Sequence, residues 1–139
     1  MARPLEFLKP QAVSSIVKNQ SQHIKFIKVV SLKELDDLLK KNQGKKIMLD
    51  FYAKWCTSCK ELEKITFLDD RVRAKLKEFV LIQADITQNT QVQKDLTKKY
   101  GVFGPPVILF FDKRGKVLKS KTIVGFIEPD KFLRHIGQI

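Results

Sequence analysis

Ile47-Met48-Leu49-Asp50-Phe51-Tyr52-Ala53-Lys54-Trp55-Cys56-Thr57-Ser58-Cys59-Lys60 passes from an apolar, strand-like segment into a helix-like one and holds both cysteines of the 139-residue chain, three positions apart. A cysteine at a helix start sits among unsatisfied N–H groups at the positive end of the helix macrodipole, which favours its thiolate. A second cysteine one turn further on can attack a mixed disulfide formed by the first. The pair therefore reads as a two-electron thiol–disulfide switch. Cys56 is expected to be the more exposed, attacking thiol with a lowered pKa, and Cys59 the covered, resolving thiol.

Two other uses of a C-x-x-C pair fit less well. Zinc wants four Cys or His ligands, and the remaining candidates, His23 and His135, lack ligand spacing, so no metal is expected. A purely structural bridge closing so short a loop removes little unfolded-state entropy.

Outward from the pair, the chain alternates strand and helix signals from Ile24 onward, which indicates an α/β domain. Strands are expected over 24–30, 46–53, 79–84 and 107–111, with an antiparallel return over 116–124 after an Asp112-Lys113-Arg114-Gly115 turn. Helices are expected over about 32–43, from the Cys pair through Leu62, Ile65 and Leu68 as the inward face, over 71–78, over 87–100 ending at Gly101, and from near Glu128 with Pro129 in the first turn. Ser31-Leu32-Lys33-Glu34 reads as a capping box. In this order the Cys pair falls at the carboxyl end of a strand, where open α/β sheets carry their sites. Residues 1–22, with Pro4, Pro10 and a run of Ser, Asn and Gln, read as a linker or N-terminal arm, leaving 23–139 as one domain.

Composition narrows the function classes. With 43% hydrophobic and 30% charged residues the chain has globular composition. Charged residues interrupt every apolar run well before the ~20 residues needed to span a bilayer. The first twenty residues lack the continuous apolar stretch of a signal peptide, so the chain taken alone looks cytosolic. The net charge of +12 would attract polyanions, but Lys and Arg are scattered in ones and twos, as at Lys40-Lys41 and Lys98-Lys99. That distribution argues for a solvated surface and against a nucleic-acid partner.

Three residues beside the pair stand out. Asp50 interrupts an apolar central strand, where a carboxylate is costly unless it is paired or works. Buried near Cys59, its pKa would rise, making it a candidate to accept and return the resolving thiol's proton. Glu63, four residues beyond Cys59, is the second acidic candidate. Trp55 would shield one side of the site or simply pack in the core.

The segment from Leu49 through Cys56-x-x-Cys59-Lys60, followed by Gly104-x-Pro106 before a strand, resembles the thioredoxin fold over roughly residues 24–138. Lys60-Glu61-Leu62-Glu63-Lys64-Ile65-Thr66-Phe67, Leu81-Ile82-Gln83-Ala84-Asp85-Ile86-Thr87 and Ile108-Leu109-Phe110-Phe111-Asp112 resemble, more narrowly, the C-terminal, periplasm-facing domain of the DsbD family of thiol:disulfide interchange proteins. The resemblance implies a central mixed β-sheet flanked by helices, with an N-terminal extension. It implies a protein-disulfide reductase that needs no cofactor beyond its Cys56–Cys59 disulfide, with Asp50 and Glu63 as the acidic residues near the pair. Pro106 would be a cis proline facing the disulfide, and Trp55, Pro105 and Pro106 would meet docked substrates. It further implies a place at the periplasmic face of the bacterial inner membrane. There a membrane-embedded domain would donate electrons, and an N-terminal periplasmic domain or other thioredoxin-like proteins would accept them, towards disulfide isomerases and cytochrome c maturation. The isolated domain is expected to be a monomer, and a free-standing thioredoxin-like reductase is the nearest alternative. Two departures affect what carries over. Thr57-Ser58 stands where ordinary thioredoxins have Gly-Pro, and Pro105 has no N–H to offer a docked segment.

Overall fold

The parallel pairing of two apolar strands, β2 (Lys46–Tyr52) and β3 (Phe79–Asp85), forms the centre of the computed structural model, which describes residues 23–139. The expected arm, residues 1–22, lies outside the described residues. β1 (Ile27–Val29) adds in parallel beyond β3. β4 (Val107–Phe111) and β5 (Ile123–Val124) add antiparallel beyond β2, giving the order β1-β3-β2-β4-β5. The sheet is mixed, as expected.

Alternation along β2 divides the core into two layers, because successive side chains leave a strand on opposite faces. Ile47, Leu49 and Phe51 pack with Leu35 of α1 (Leu32–Lys41) and Leu96 of α4 (Gln91–Lys99). Met48 joins the other layer, with Val72 and Leu76 of α3 (Asp70–Leu76) and Phe132 and Ile136 of α5 (Pro129–Ile136). Helix starts follow their caps: Ser31, Asp69 and Thr90 each accept a first-turn N–H through a side-chain oxygen. Glu34 reaches back to the N–H of Val30 rather than to that of Ser31, so the box is displaced by one residue.

Four expectations need correction. β1 is shorter than 24–30, and Ile24 and Phe26 instead pack beneath the sheet against the second core layer. The helix expected from Thr87 begins at Gln91, because Thr87 is held by Asp85 and Asn89 adopts a left-handed φ of 52° before the Thr90 capping box. The return strand over 116–124 shrinks to a single bridge at Val117, a 3₁₀ turn over Lys119–Lys121 and the two-residue β5. Lys119-Ser120-Lys121-Thr122 has no apolar alternation to bury.

The fourth correction concerns the helix that carries the cysteines. α2 (Thr57–Glu61) runs into a π-helical segment, Leu62–Thr66, closed by the Phe67 N–H donating to the Leu62 carbonyl at 2.8 Å. A π-turn adds a residue per turn and shifts the phase of everything after it. Thr66 and Phe67 therefore turn inward with Leu62, while Ile65, expected on the inward face, is 48% exposed.

Candidate active site

The turn from β2 into α2 places the cysteines at the end of the sheet. Cys56 occupies the N-cap with an extended backbone; its N–H donates to the Ala53 carbonyl, and its sulfur accepts the Cys59 N–H at 3.1 Å. A cap normally uses a side-chain oxygen for this bond; here a sulfur takes the position. Cys56 and Cys59 are joined as a disulfide. Cys56 keeps 6% exposure and Cys59 3%, so the difference between them is small. The Cys59 sulfur lies 4.0 Å from the Phe51 carbonyl oxygen, inside the sheet end.

Trp55 does not join the core: it is 63% exposed, and its indole N–H donates to the Thr87 carbonyl at 3.0 Å. Thr87 also accepts the Lys54 N–H through its hydroxyl, and its own N–H donates to Asp85 Oδ1 at 2.9 Å. This Asx turn at the end of β3 holds Thr87 where it accepts both the Lys54 backbone N–H and the Trp55 indole N–H, just ahead of the disulfide. Sequence reasoning missed Asp85 and Thr87; the signal was Asp-x-Thr directly after an apolar strand.

The Pro105–Pro106 peptide bond is cis, with Pro106 buried and Pro105 half-buried. Pro105, Trp55, Ile86, Gln93 and Phe103 line a cleft of about 370 Å³. Phe103 is fully exposed at the edge of this cleft.

Asp50 is buried at 3% exposure. Gln83, its register partner on β3, donates from Nε2 to Asp50 Oδ2 at 3.1 Å, while Oδ1 has no hydrogen-bond partner among the described residues. Burial pushes the Asp50 carboxyl up to about 7, the negative charge of Glu63 adds to the rise, and the Gln83 hydrogen bond opposes it. Glu63 itself is exposed and makes no ion pair with Lys60 or Lys64. The Tyr52 hydroxyl is held above its usual range by burial first, then by Glu63, Asp85 and Asp50. Gln83 was not singled out from sequence. The criterion applied to Asp50, a polar residue inside an apolar strand run, would have found it.

The geometry thus gathers Asp50 and Glu63 into one electrostatic cluster with Gln83. It gathers Trp55, Pro105 and Phe103 around a cleft. Chemically, the arrangement offers a dithiol–disulfide couple, a backbone N–H directed at one sulfur, and a buried acid that changes charge near neutral pH.

Comparison with known proteins agrees with this geometry. Residues 35–139 match the thioredoxin-like domain family. The chain is 46% identical over 129 residues to the thiol:disulfide interchange protein DsbD of Actinobacillus pleuropneumoniae, covering 93% of this chain and 22% of that protein. It is 44% identical over 119 residues to DsbD of Yersinia pestis, covering 86% of this chain and 20% of that protein. It therefore spans about a fifth of the length of these curated relatives. The crystal structure of the oxidised C-terminal domain of Neisseria meningitidis DsbD superposes with a TM-score of 0.68 at 32% identity, covering 82% of this chain and 98% of that one. The chain belongs to the thioredoxin-like domain family and, within it, to the C-terminal domains of the thiol:disulfide interchange protein DsbD.

Proposed function

We propose that the domain is a protein-disulfide reductase that relays electrons by dithiol–disulfide exchange. In the reduced domain the Cys56 thiolate attacks one sulfur of a partner disulfide, forming a Cys56–partner bond and releasing the partner's other sulfur as a thiolate that takes up a proton. Cys59 then loses its proton and attacks Cys56. The Cys56–Cys59 bond forms, and the second partner sulfur leaves and is protonated. Two electrons and two protons pass to the partner, and no cofactor enters the balance. An upstream dithiol reverses the sequence to reset the pair.

The observation that carries this reading is the Cys56 sulfur at an N-cap, accepting the Cys59 N–H at 3.1 Å, at the end of β2 beside Trp55. A donor held at that position stabilises negative charge on Cys56 when it attacks and when it leaves. Asp50 is the group assigned to take the Cys59 proton: it lies one residue before Phe51, whose carbonyl faces the Cys59 sulfur. A carboxyl that burial raises to about 7 suits a group that both accepts and returns a proton. Glu63 tunes Asp50 through its charge. Trp55, Pro105 and Phe103, which line one cleft, form the docking surface, and the buried Pro106 is joined to Pro105 by the cis bond.

The relay is the proposed context. The chain covers about a fifth of proteins named for thiol:disulfide interchange, which supports a domain working beside others in a longer chain. Its donor would be a membrane-embedded domain and its acceptor an N-terminal periplasmic domain or another thioredoxin-like protein, at the periplasmic face of the inner membrane. No helix among the described residues is long and apolar enough to cross a membrane. The test is turnover: the reduced domain, supplied with an oxidised acceptor domain from the same relay, should reduce it stoichiometrically and become oxidised itself. Wild-type protein that leaves the acceptor oxidised over hours refutes the proposal.

A further inference from the structure

Asp50 is one member of a row that crosses the sheet. In the register, Asp50 of β2 lies opposite Gln83 of β3, and Gln83 lies opposite Lys28 of β1. Directly opposed residues of neighbouring strands project from the same face, so Asp50, Gln83 and Lys28 form one polar line from a buried central strand to an exposed edge strand. On its other side Asp50 opposes Ile108, which is fully buried. The row therefore has one polar exit.

That exit opens into a cleft of about 360 Å³ lined by Gln83, Lys28, Glu63, Phe26, Phe67 and His23. This cleft shares no lining residue with the Trp55–Pro105 cleft. Gln83 is the member that touches both the buried carboxyl and the cleft. We propose that Gln83 is a positioning residue of the exchange reaction, holding the Asp50 carboxyl at the buried end of a polar row that opens to solvent away from the docking surface. The proposal rests on the exchange chemistry argued above.

The physical role follows from the bond. An amide N–H given to Oδ2 favours the ionised carboxylate, against burial and against the negative charge of Glu63. It also orients the carboxyl, leaving Oδ1 as the oxygen without a partner. The remaining charged or titratable groups around the row are Lys64 beside Glu63, Lys28 and His23 at the cleft, and Tyr52 and Asp85 at the ends of β2 and β3. Without the Gln83 donor, Asp50 would keep its proton to higher pH, and a smaller fraction of molecules would hold the carboxylate that accepts one from Cys59. The attack by Cys56 would be untouched, and the resolving attack by Cys59 would slow.

The experiment uses the reduced full chain and the aromatic disulfide dithiobis(nitrobenzoate), which releases one coloured thiolate when Cys56 attacks and a second when Cys59 resolves. Gln83→Met, of similar volume but without a donor, should leave the first phase within about twofold and slow the second about tenfold near neutral pH. The carbon-13 titration midpoint of the Asp50 carboxyl in the same variant should rise by about one pH unit. Gln83→Asn, too short to reach Oδ2, should shift both readouts in the same direction and serves if the Met variant does not fold. A folded variant with an unchanged midpoint and an unchanged second phase overturns the proposal, as does equal slowing of both phases. Loss of both phases in wild-type protein would instead refute the exchange chemistry, while the Asp50 titration still reports on Gln83.

Discussion

The backbone N–H of Cys59 donates to the sulfur of Cys56 across 3.1 Å, so the two residues of the redox couple are also the two ends of a helix cap. The short helix is thereby tied to the sulfur's acceptor capacity. With the disulfide removed in both cases, Cys56→Ser/Cys59→Ser should be more stable than Cys56→Ala/Cys59→Ser by about 1 kcal/mol, since serine keeps a capping acceptor and alanine has none. Urea unfolding monitored by fluorescence measures the difference.

Asp50 makes stability depend on pH in the direction opposite to an ordinary paired carboxylate. Its folded value of about 7 lies above the unfolded value near 3.8, so the native state holds a proton that the unfolded chain has lost throughout that interval. The stabilisation is fully present below about pH 4 and is lost as pH rises to about 7, amounting to something on the order of 4 kcal/mol. Asp69, Glu78 and Asp112, whose carboxyls are held below their usual range, act in the opposite sense and at acidic pH. Asp50→Asn should therefore be more stable than wild type at pH 8, with the advantage shrinking to nothing towards pH 4. The same variant should exchange disulfides more slowly. Urea unfolding at a series of pH values checks the first statement and partner reduction checks the second.

Docking can be separated from chemistry at the Trp55–Pro105 cleft. Phe103 is fully exposed, so Phe103→Ser should change stability by less than about 0.5 kcal/mol. Reduction of a protein acceptor should fall several-fold, whereas reduction of a small aromatic disulfide should not change. Pro105→Thr restores an N–H that a docked segment could use and should alter the rate with protein acceptors in the same selective way. Parallel assays with the two substrate types read both variants.

Much of this architecture is legible in local sequence because local physics decides it. Strand β2 and the Cys-x-x-Cys turn follow from an apolar run meeting a helix start, and Asp50 stands out because nothing polar belongs there. The π-turn over Leu62–Thr66 is not legible: Leu62, Ile65 and Leu68 fit an α-helical stripe, and only packing of Thr66 and Phe67 decides the phase. Thr66 shows the reason, donating its hydroxyl to the Ile127 carbonyl at 2.5 Å, a contact sixty-one positions away. The short β5 escaped for a related reason, since its length depends on what β4 leaves free to pair. Gln83 becomes visible as part of the site only once its register opposite Asp50 is known.

The central claim, that Cys56 attacks and Cys59 resolves, is tested most directly by trapping. Each single variant, reduced, is mixed with an oxidised acceptor domain and the products are resolved without reductant. Cys59→Ser should accumulate a covalent one-to-one complex linked through Cys56, and Cys56→Ser should give none. A stable complex through Cys59, formed as readily as or more readily than one through Cys56, would contradict the account.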